Sequence, residues 1–172
     1  GADVLITAYT LAQGIRVLGG FDLIFCGQQT TDGDTAQLPF SLAVQLDAHI
    51  AGWVKKIESI GADGITVLQE LSDGTQRLTL PFPAVVAVGH EADTPRLPTL
   101  KNRLKAKSIE VQHLTLSDMP DTDATHYGLA ASPTHVVKVY ENVVQAKAEV
   151  LQLSPQEAAA LLCAELKEAQ HG

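Results

Sequence analysis

The sequence predicts an α/β fold with a parallel sheet, and three observations predict it. Residues 21–27 and 84–88 are short, almost continuously apolar runs, the pattern of parallel strands covered on both faces. A helical pattern precedes the first run and another follows it, an alternation that belongs to βαβ construction. Between the two runs lies a pair of strand-like segments joined by a glycine-containing turn, an antiparallel hairpin added to the parallel strands.

Residues 2–18 read as a helix because Val4, Ala8, Leu11, Ile15 and Leu18 recur at steps of four and three and form one apolar stripe. Asp3 suits its N-cap or first turn, and Gly19-Gly20 suit its end. A second amphipathic helix is expected over 36–46, with Leu38, Leu42, Val44 and Leu46 apolar. Pro39 confines its start, since proline is tolerated only in a first turn. Strands are expected at 53–58, 65–71 and 76–80, the last two joined through Ser72-Asp73-Gly74-Thr75. From Pro95 onward no long periodic segment occurs until a terminal helix at 157–169, so the intervening stretch is expected to wrap a surface, its own or a partner's. Only two convincing parallel strands are visible, and a doubly wound sheet needs strands on both sides of the first. An N-terminal portion is therefore expected to be missing from this sequence, and the chain is not expected to behave as a monomer.

With 172 residues, 45% of them hydrophobic, the chain can bury a core, and a formal net charge of −8 argues against general affinity for nucleic acid or anionic membranes. Its apolar runs fall far short of the roughly 20 residues that span a bilayer, and a cytoplasmic protein is expected. Cys26 and Cys163 are too few and too far apart for a metal knuckle or a disulfide framework. The six histidines, His49, His90, His113, His126, His135 and His171, have no metal-ligand spacing and read as surface residues. Ser132 lacks the frame of a nucleophile elbow, and no catalytic triad is visible.

One segment, 27–37, carries chemistry in its spacing. It leaves the end of a buried strand and enters a helix N-terminus, where open α/β sheets bind ligands and where free N–H groups and the helix dipole favour an anion. Gly27 and Gly33 allow close backbone approach or positive φ, and Thr35 and Gln37 offer side-chain donors. Asp32 and Asp34 are less suited to a phosphate and read as turn or capping groups, Asp34 and Gln37 in a capping-box variant. A plain strand-to-helix turn without ligand reads the same pattern, since neither a Walker lysine nor a full Gly-x-Gly-x-x-Gly is present.

Three ordered motifs add a resemblance. The run Phe25-Cys26-Gly27-Gln28-Gln29-Thr30-Thr31-Asp32-Gly33-Asp34-Thr35-Ala36-Gln37 resembles the nucleotide turn of electron-transfer flavoprotein beta subunits. Pro83-Ala84-Val85-Val86 followed by Thr94-Pro95-Arg96-Leu97-Pro98-Thr99-Leu100-Lys101, with Ala106-Lys107, is similar to the family's second signature, and Gly128-Leu129-Ala130-Ala131-Ser132-Pro133-Thr134 resembles a third. The resemblance implies a Rossmann-like adenine-nucleotide-binding domain, incomplete at its N-terminus, at 1–107, and a C-terminal arm and helix at 108–172 that pack on the partner subunit. It implies a heterodimer whose alpha subunit holds FAD and whose beta subunit holds AMP or a second FAD. The Asp-Gly-Asp-Thr-Ala-Gln form favours FAD and the prokaryotic, flavin-bifurcating type. Cofactor binding is carried onto Gly27, Gln29, Thr30, Asp32, Gly33, Asp34, Thr35, Ala36 and Gln37. Family members open with a further strand-helix portion, roughly 60 to 80 residues at the scale of βαβ units.

The resemblance also places a loop that docks on dehydrogenase electron donors at 89–97. Ala92 stands where such proteins place an anchoring leucine, and a methyl group buries too little area to serve as one. Arg96, Lys101 and Arg103, with Lys105 and Lys107, concentrate positive charge beside this loop, which suits steering of an acidic partner or contact with the alpha subunit, although a solvated basic face is the plain alternative. The function implied is that of an electron carrier subunit rather than an enzyme. An adenine-nucleotide-binding module of stress-protein type without redox activity, or a purely structural subunit, are the competing readings.

Overall fold

The computed structural model describes residues 1–140 and 150–169. The chain divides into two compact units, Gly1–His135 and Val136–Gly172. The first unit is α/β. Helix α1 (Val4–Leu18) leads to strand β1 (Leu23–Gly27), helix α2 (Leu38–Leu46), and strands β2 (His49–Ile60), β3 (Gly64–Leu71), β4 (Gly74–Pro81) and β5 (Ala84–Val88). The sheet has the order β1-β5-β2-β3-β4.

The helix α1 forms as its sequence predicts at both ends. Asp3 accepts from the Ile6 amide at 3.0 Å, and Gly19, at φ 100°, closes the last turn in a conformation that favours glycine. Its inner face differs from the expected stripe, because Leu11 and Leu18 are 43% and 67% exposed while Ala8 and Ala12 are fully buried. Alanines let α1 approach α2 closely, and Ala8, Ala12 and Leu42 form one core cluster with Ile15, Ile24, Cys26, Leu38 and Leu46 against it. In α2 the inward positions are thus Leu38, Leu42 and Leu46 at spacing four, whereas Val44 is 80% exposed.

Three strands run parallel, not two. The first residues of β2, His49 to Ala51, pair parallel with β5, opposite Ala84 to Val86. A bulge then breaks the register, Trp53 adopts φ 52°, and the rest of β2 pairs antiparallel with β3. Sequence patterning registered only the second half as a strand. Gly52 sits at the changeover because Phe40 of α2 packs on it, and a Cβ there would stand 2.4 Å from the ring's Cζ. The β3–β4 hairpin turns through Ser72-Asp73, tighter than the expected four-residue loop, with Gly74 already in β4. Strand β5 lies between β1 and β2, and Val85 and Val86 are fully buried, each contributing about 1.5–3 kcal/mol. Ala84 and Val86 belong to the second core cluster, with Ala51, Val54, Ile65, Val67 and Leu80.

Strand β1 departs from expectation. It starts at Leu23 rather than at 21, and Phe25 is 50% exposed. Among the described residues β1 is an edge strand, paired with β5 alone, and Phe25 is half-exposed on its face.

After β5 the chain forms a helix that patterning missed, α3 (Leu100–Lys107), which buries no residue. Leu100 and Leu104 alone repeat at helical spacing, too short a stripe to signal it. Thr99 caps it through the Asn102 amide at 3.3 Å, and Lys105 and Lys107 lie in its last turn, where cations complement the dipole. Two 3-10 turns, Leu116–Asp118 and Ala124–His126, and the short helix α4 (Gly128–Ala131) follow. This stretch wraps the chain's own surface. The Tyr127 ring meets that of Tyr9 on α1, with centroids 5.5 Å apart. Asp121 accepts from the Tyr9 hydroxyl and from His126 Nδ1 at 2.7 Å.

In the second unit, helix α5 (Pro155–Ala169) starts two residues before the expected position, with proline in its first turn. Ser154 and Glu157 form a capping box, the Ser154 amide donating to Glu157 Oε2 at 2.9 Å and the Glu157 amide to Ser154 Oγ at 3.4 Å. Leu162 and Leu166 of this helix are each 63% exposed. The remainder of the expected arm, 141–149 and 170–172, including His171, lies outside the described residues.

Candidate functional site

Because α1 runs back along β1 after a tight glycine turn, its N-terminus stands over the carboxyl end of β1. The same edge receives the N-terminus of α2. A cavity of about 480 Å³ opens there, lined by Ala2 and Asp3 before α1 and Val4 and Thr7 within it, by Cys26 and Gly27 of β1, by Gln28, Gln29, Thr30, Asp32, Gly33, Thr35 and Ala36 of the turn, and by Leu38 and Pro39 of α2. Its size is that of ordinary small-ligand sites, and its place is where parallel α/β sheets bind ligands.

Of the residues singled out from sequence, Gly27, Gln29, Thr30, Asp32, Gly33, Thr35 and Ala36 line this cavity, and Asp34 and Gln37 do not. The capping box expected of those two is not formed. Helix α2 begins at Leu38, which makes Gln37 its N-cap, and Gln37 makes no side-chain cap bond because its backbone is already helical, at φ −97° and ψ −17°. Neither Gly27 nor Gly33 takes a positive φ. The left-handed residues are Asp34 at φ 47° and Ala36 at φ 53°, and such conformations cost a non-glycine residue free energy that functional sites commonly retain. The turn from Gln29 to Thr35 is exposed.

The two acids on the rim stay ionised. The Ile6 amide, with further bonds from Thr134, holds the Asp3 carboxyl below its ordinary range, and the Thr30 hydroxyl, followed by the Gly33 amide, does the same for Asp32. Burial raises the Cys26 thiol. An anionic ligand group is repelled from these two carboxylates, which are better suited to accept from hydroxyl or amino groups. The favourable place for an anion is the start of α2, where the Gln37 side chain makes no cap bond and the Leu38 and Phe40 N–H groups are the donors, Pro39 having none.

Asp3 and Thr7 were not read from sequence as site residues, although the signal was present: a helix joined to a strand by two glycines must fold back and bring its start to the strand's end. Asp3 is further tied to the third motif. Its amide donates to the buried Ser132 hydroxyl at 2.9 Å, and its Oδ2 accepts from Thr134 Oγ1 at 2.9 Å and from the Thr134 amide at 3.2 Å. Motifs more than a hundred residues apart thus meet at the rim of the cavity.

The residues expected to dock a partner lie elsewhere. Ala92 lines a separate depression of about 550 Å³ with Lys55, Lys56, Leu68, His90, Glu91, Asp93 and Thr94. Arg96 is exposed in the loop after β5, and Lys101 and Arg103 are exposed on α3. Among the described residues no group of three or more His, Cys, Asp or Glu is arranged to hold a metal ion, and no helix is long and apolar enough to cross a membrane.

Fold and site together define an α/β protein with a ligand-sized cavity at the carboxyl ends of parallel strands. Residues 1–119 match the electron transfer flavoprotein domain, and the chain belongs to that family. It is 36% identical over 146 residues to the electron transfer flavoprotein subunit beta of Megasphaera elsdenii, covering 81% of this chain and 53% of that protein. Over 168 residues it is 33% identical to the subunit beta of Clostridium acetobutylicum, covering 98% and 64%. With protein FixA of Rhizobium meliloti it shares 36% over 146 residues, covering 81% and 50%. The chain thus spans between half and two thirds of the length of these relatives.

Proposed function

We propose that this chain serves in the beta subunit of an electron-transfer flavoprotein, and that its cavity holds the phosphates of FAD, or of AMP in its place. The observation that carries the reading is the turn 28–37: it projects from the carboxyl end of β1, takes a left-handed backbone at Asp34 and Ala36, and delivers the chain to the uncapped start of α2 beside a cavity of about 480 Å³. The residues fit such a group. Backbone at Gly33 gives close approach, since a Cβ there would find only Thr30 Oγ1 at 3.8 Å. The α2 N-terminus favours phosphate, and the ionised Asp3 and Asp32 suit the ribose hydroxyls. FAD, when bound, supplies the electron-transfer chemistry, and the polypeptide supplies position, burial and electrostatics.

Membership of the family supports the redox reading over that of a nucleotide-binding module without redox activity. Pairing with an alpha subunit and exchange with dehydrogenases are part of the proposal. The basic side chains Arg96, Lys101 and Arg103 would steer an acidic partner to the 89–97 loop. The apolar group that this loop offers to solvent is Leu97, 93% exposed, a better anchor than Ala92. The test is the absorbance spectrum and nucleotide content of the purified full-length heterodimer, with and without Gly33→Val. The expected result is one nucleotide in this subunit, flavin in preference to AMP, lost in Gly33→Val while the circular dichroism is unchanged. Stoichiometric nucleotide retained by the variant would refute the assignment of the turn.

A further inference from the structure

Strands β1 and β5 are parallel and in register through Gly27 and Val88, so the chain leaves the sheet side by side at Gln28 and at Gly89. Gln28 is half-buried and lines the cavity. Gly89 opens the 89–97 loop. Hardly any space separates them: a Cβ on Gly89 would stand 3.1 Å from the Gln28 side-chain amide and 3.8 Å from the Val54 carbonyl oxygen. A side chain at position 89 therefore has to shift the Gln28 amide by a few tenths of an ångström.

The other side of the loop base is tied down. The Gly89 amide donates to Val54 O at 3.1 Å, and the Ala92 amide closes a turn on Gly89 O at 3.2 Å. Glu91 pairs with Lys55 of β2 at 3.2 Å, and Lys55 also reaches Glu70 of β3 at 3.8 Å. No residue of β2 is among those that line the cavity. The loop base is thus tied to a strand that does not border the cavity and lies beside one side chain that does.

We propose that Gln28 is a positioning residue that couples occupancy of the cavity to the conformation of the 89–97 loop. The proposal rests on the nucleotide reading of the cavity. A ligand that hydrogen-bonds the Gln28 amide draws it away from Gly89 and opens space beside the loop base. Linkage then requires a partner that engages the loop to change nucleotide affinity by the same factor. Glycine at position 89 is what leaves the amide room to take both positions.

The experiment uses the full-length heterodimer, stripped of nucleotide and titrated with FAD or AMP. Trypsin cleavage after the exposed Arg96 is followed by mass spectrometry, and nucleotide affinity by calorimetry. Saturating nucleotide should change the cleavage rate by about fivefold, within the usual range of coupling. Gly89→Ala, outside the cavity lining, should tighten nucleotide binding by a similar factor, because it displaces the Gln28 amide in the direction the ligand draws it, and adding it to Gln28→Ala should change nothing further, the non-additivity of residues in contact. The cleavage measurement needs only the unsubstituted protein, so it decides the matter even where Gly89→Ala does not fold. Nucleotide that binds yet leaves cleavage after Arg96 unchanged overturns the coupling and spares the nucleotide reading. A heterodimer that binds no nucleotide in this subunit overturns both.

Discussion

Helices α1 and α2 both begin at the rim of the same cavity, but only α1 brings its own cap. At α1 the Asp3 carboxylate takes the Ile6 amide and is held in turn by Thr134, so that terminus is satisfied from within the chain. At α2 the N-cap is Gln37, which makes no side-chain bond, and the preceding turn contains left-handed Asp34 and Ala36. A terminus that is closed contributes stability. One left open, with strain beside it, is where the proposed function has stability given up for a ligand.

The largest effect expected from this contrast is on binding. Gln37→Glu places a negative charge at the open terminus and should lower the affinity for FAD or AMP by about tenfold, since the like charge opposes phosphate where the dipole favours it. Calorimetry on the full-length heterodimer reads this directly, and undiminished affinity would move the phosphates away from α2. At the closed terminus the effect should fall on stability instead. Asp3→Ala removes the cap and the anchor for Thr134, and the melting temperature should drop by about 4 °C. A drop as large in Gln37→Ala would erase the distinction between the two helices.

A smaller effect is expected at Ala36. Ala36→Gly relieves a left-handed alanine and should raise stability by about 1 kcal/mol in chemical denaturation, part of it offset by the freedom glycine has when unfolded. No gain would mean that the turn relaxes without cost. The smallest effect concerns the strap that crosses α1. Its hydrogen bond to Asp121 raises the His126 pKa from the ordinary 6.5, while the Tyr9 hydroxyl, the Asp123 amide and His126 hold Asp121 at about 2. Tyr9 is pushed up to about 12, chiefly by its bond to Asp121. A raised folded pKa adds stability that is complete below 6.5 and is lost as pH rises through the higher folded value. The contribution of Asp121 is present above its ordinary 3.8 and is lost as pH falls toward about 2. Melting temperatures across this span should therefore decline on the alkaline side of 6.5 in the unsubstituted protein and not in His126→Gln. Identical profiles would remove the histidine from the strap's stability.

Much of this molecule was determined by local sequence. Asp3 and Gly19 set the ends of α1 through a hydrogen bond and a positive φ that neighbours in sequence supply, and an apolar run such as 84–88 has no place other than between two covering layers. The turn 27–37 was legible for the same reason, since a strand end and a helix start are local features. Tertiary structure decided what depends on distant partners. The bulge at Trp53, which divides β2 between a parallel and an antiparallel neighbour, and the half-exposed Phe25 on an edge strand carry no local signal. The same holds for the meeting of Asp3 with Ser132 and Thr134 and of Gln28 with Gly89, because chain-distant contacts are fixed by how strands align. Helix α3 fell between the two: Leu100 and Leu104, both exposed, are too short an apolar pattern to read, and its cap and charges mark it instead.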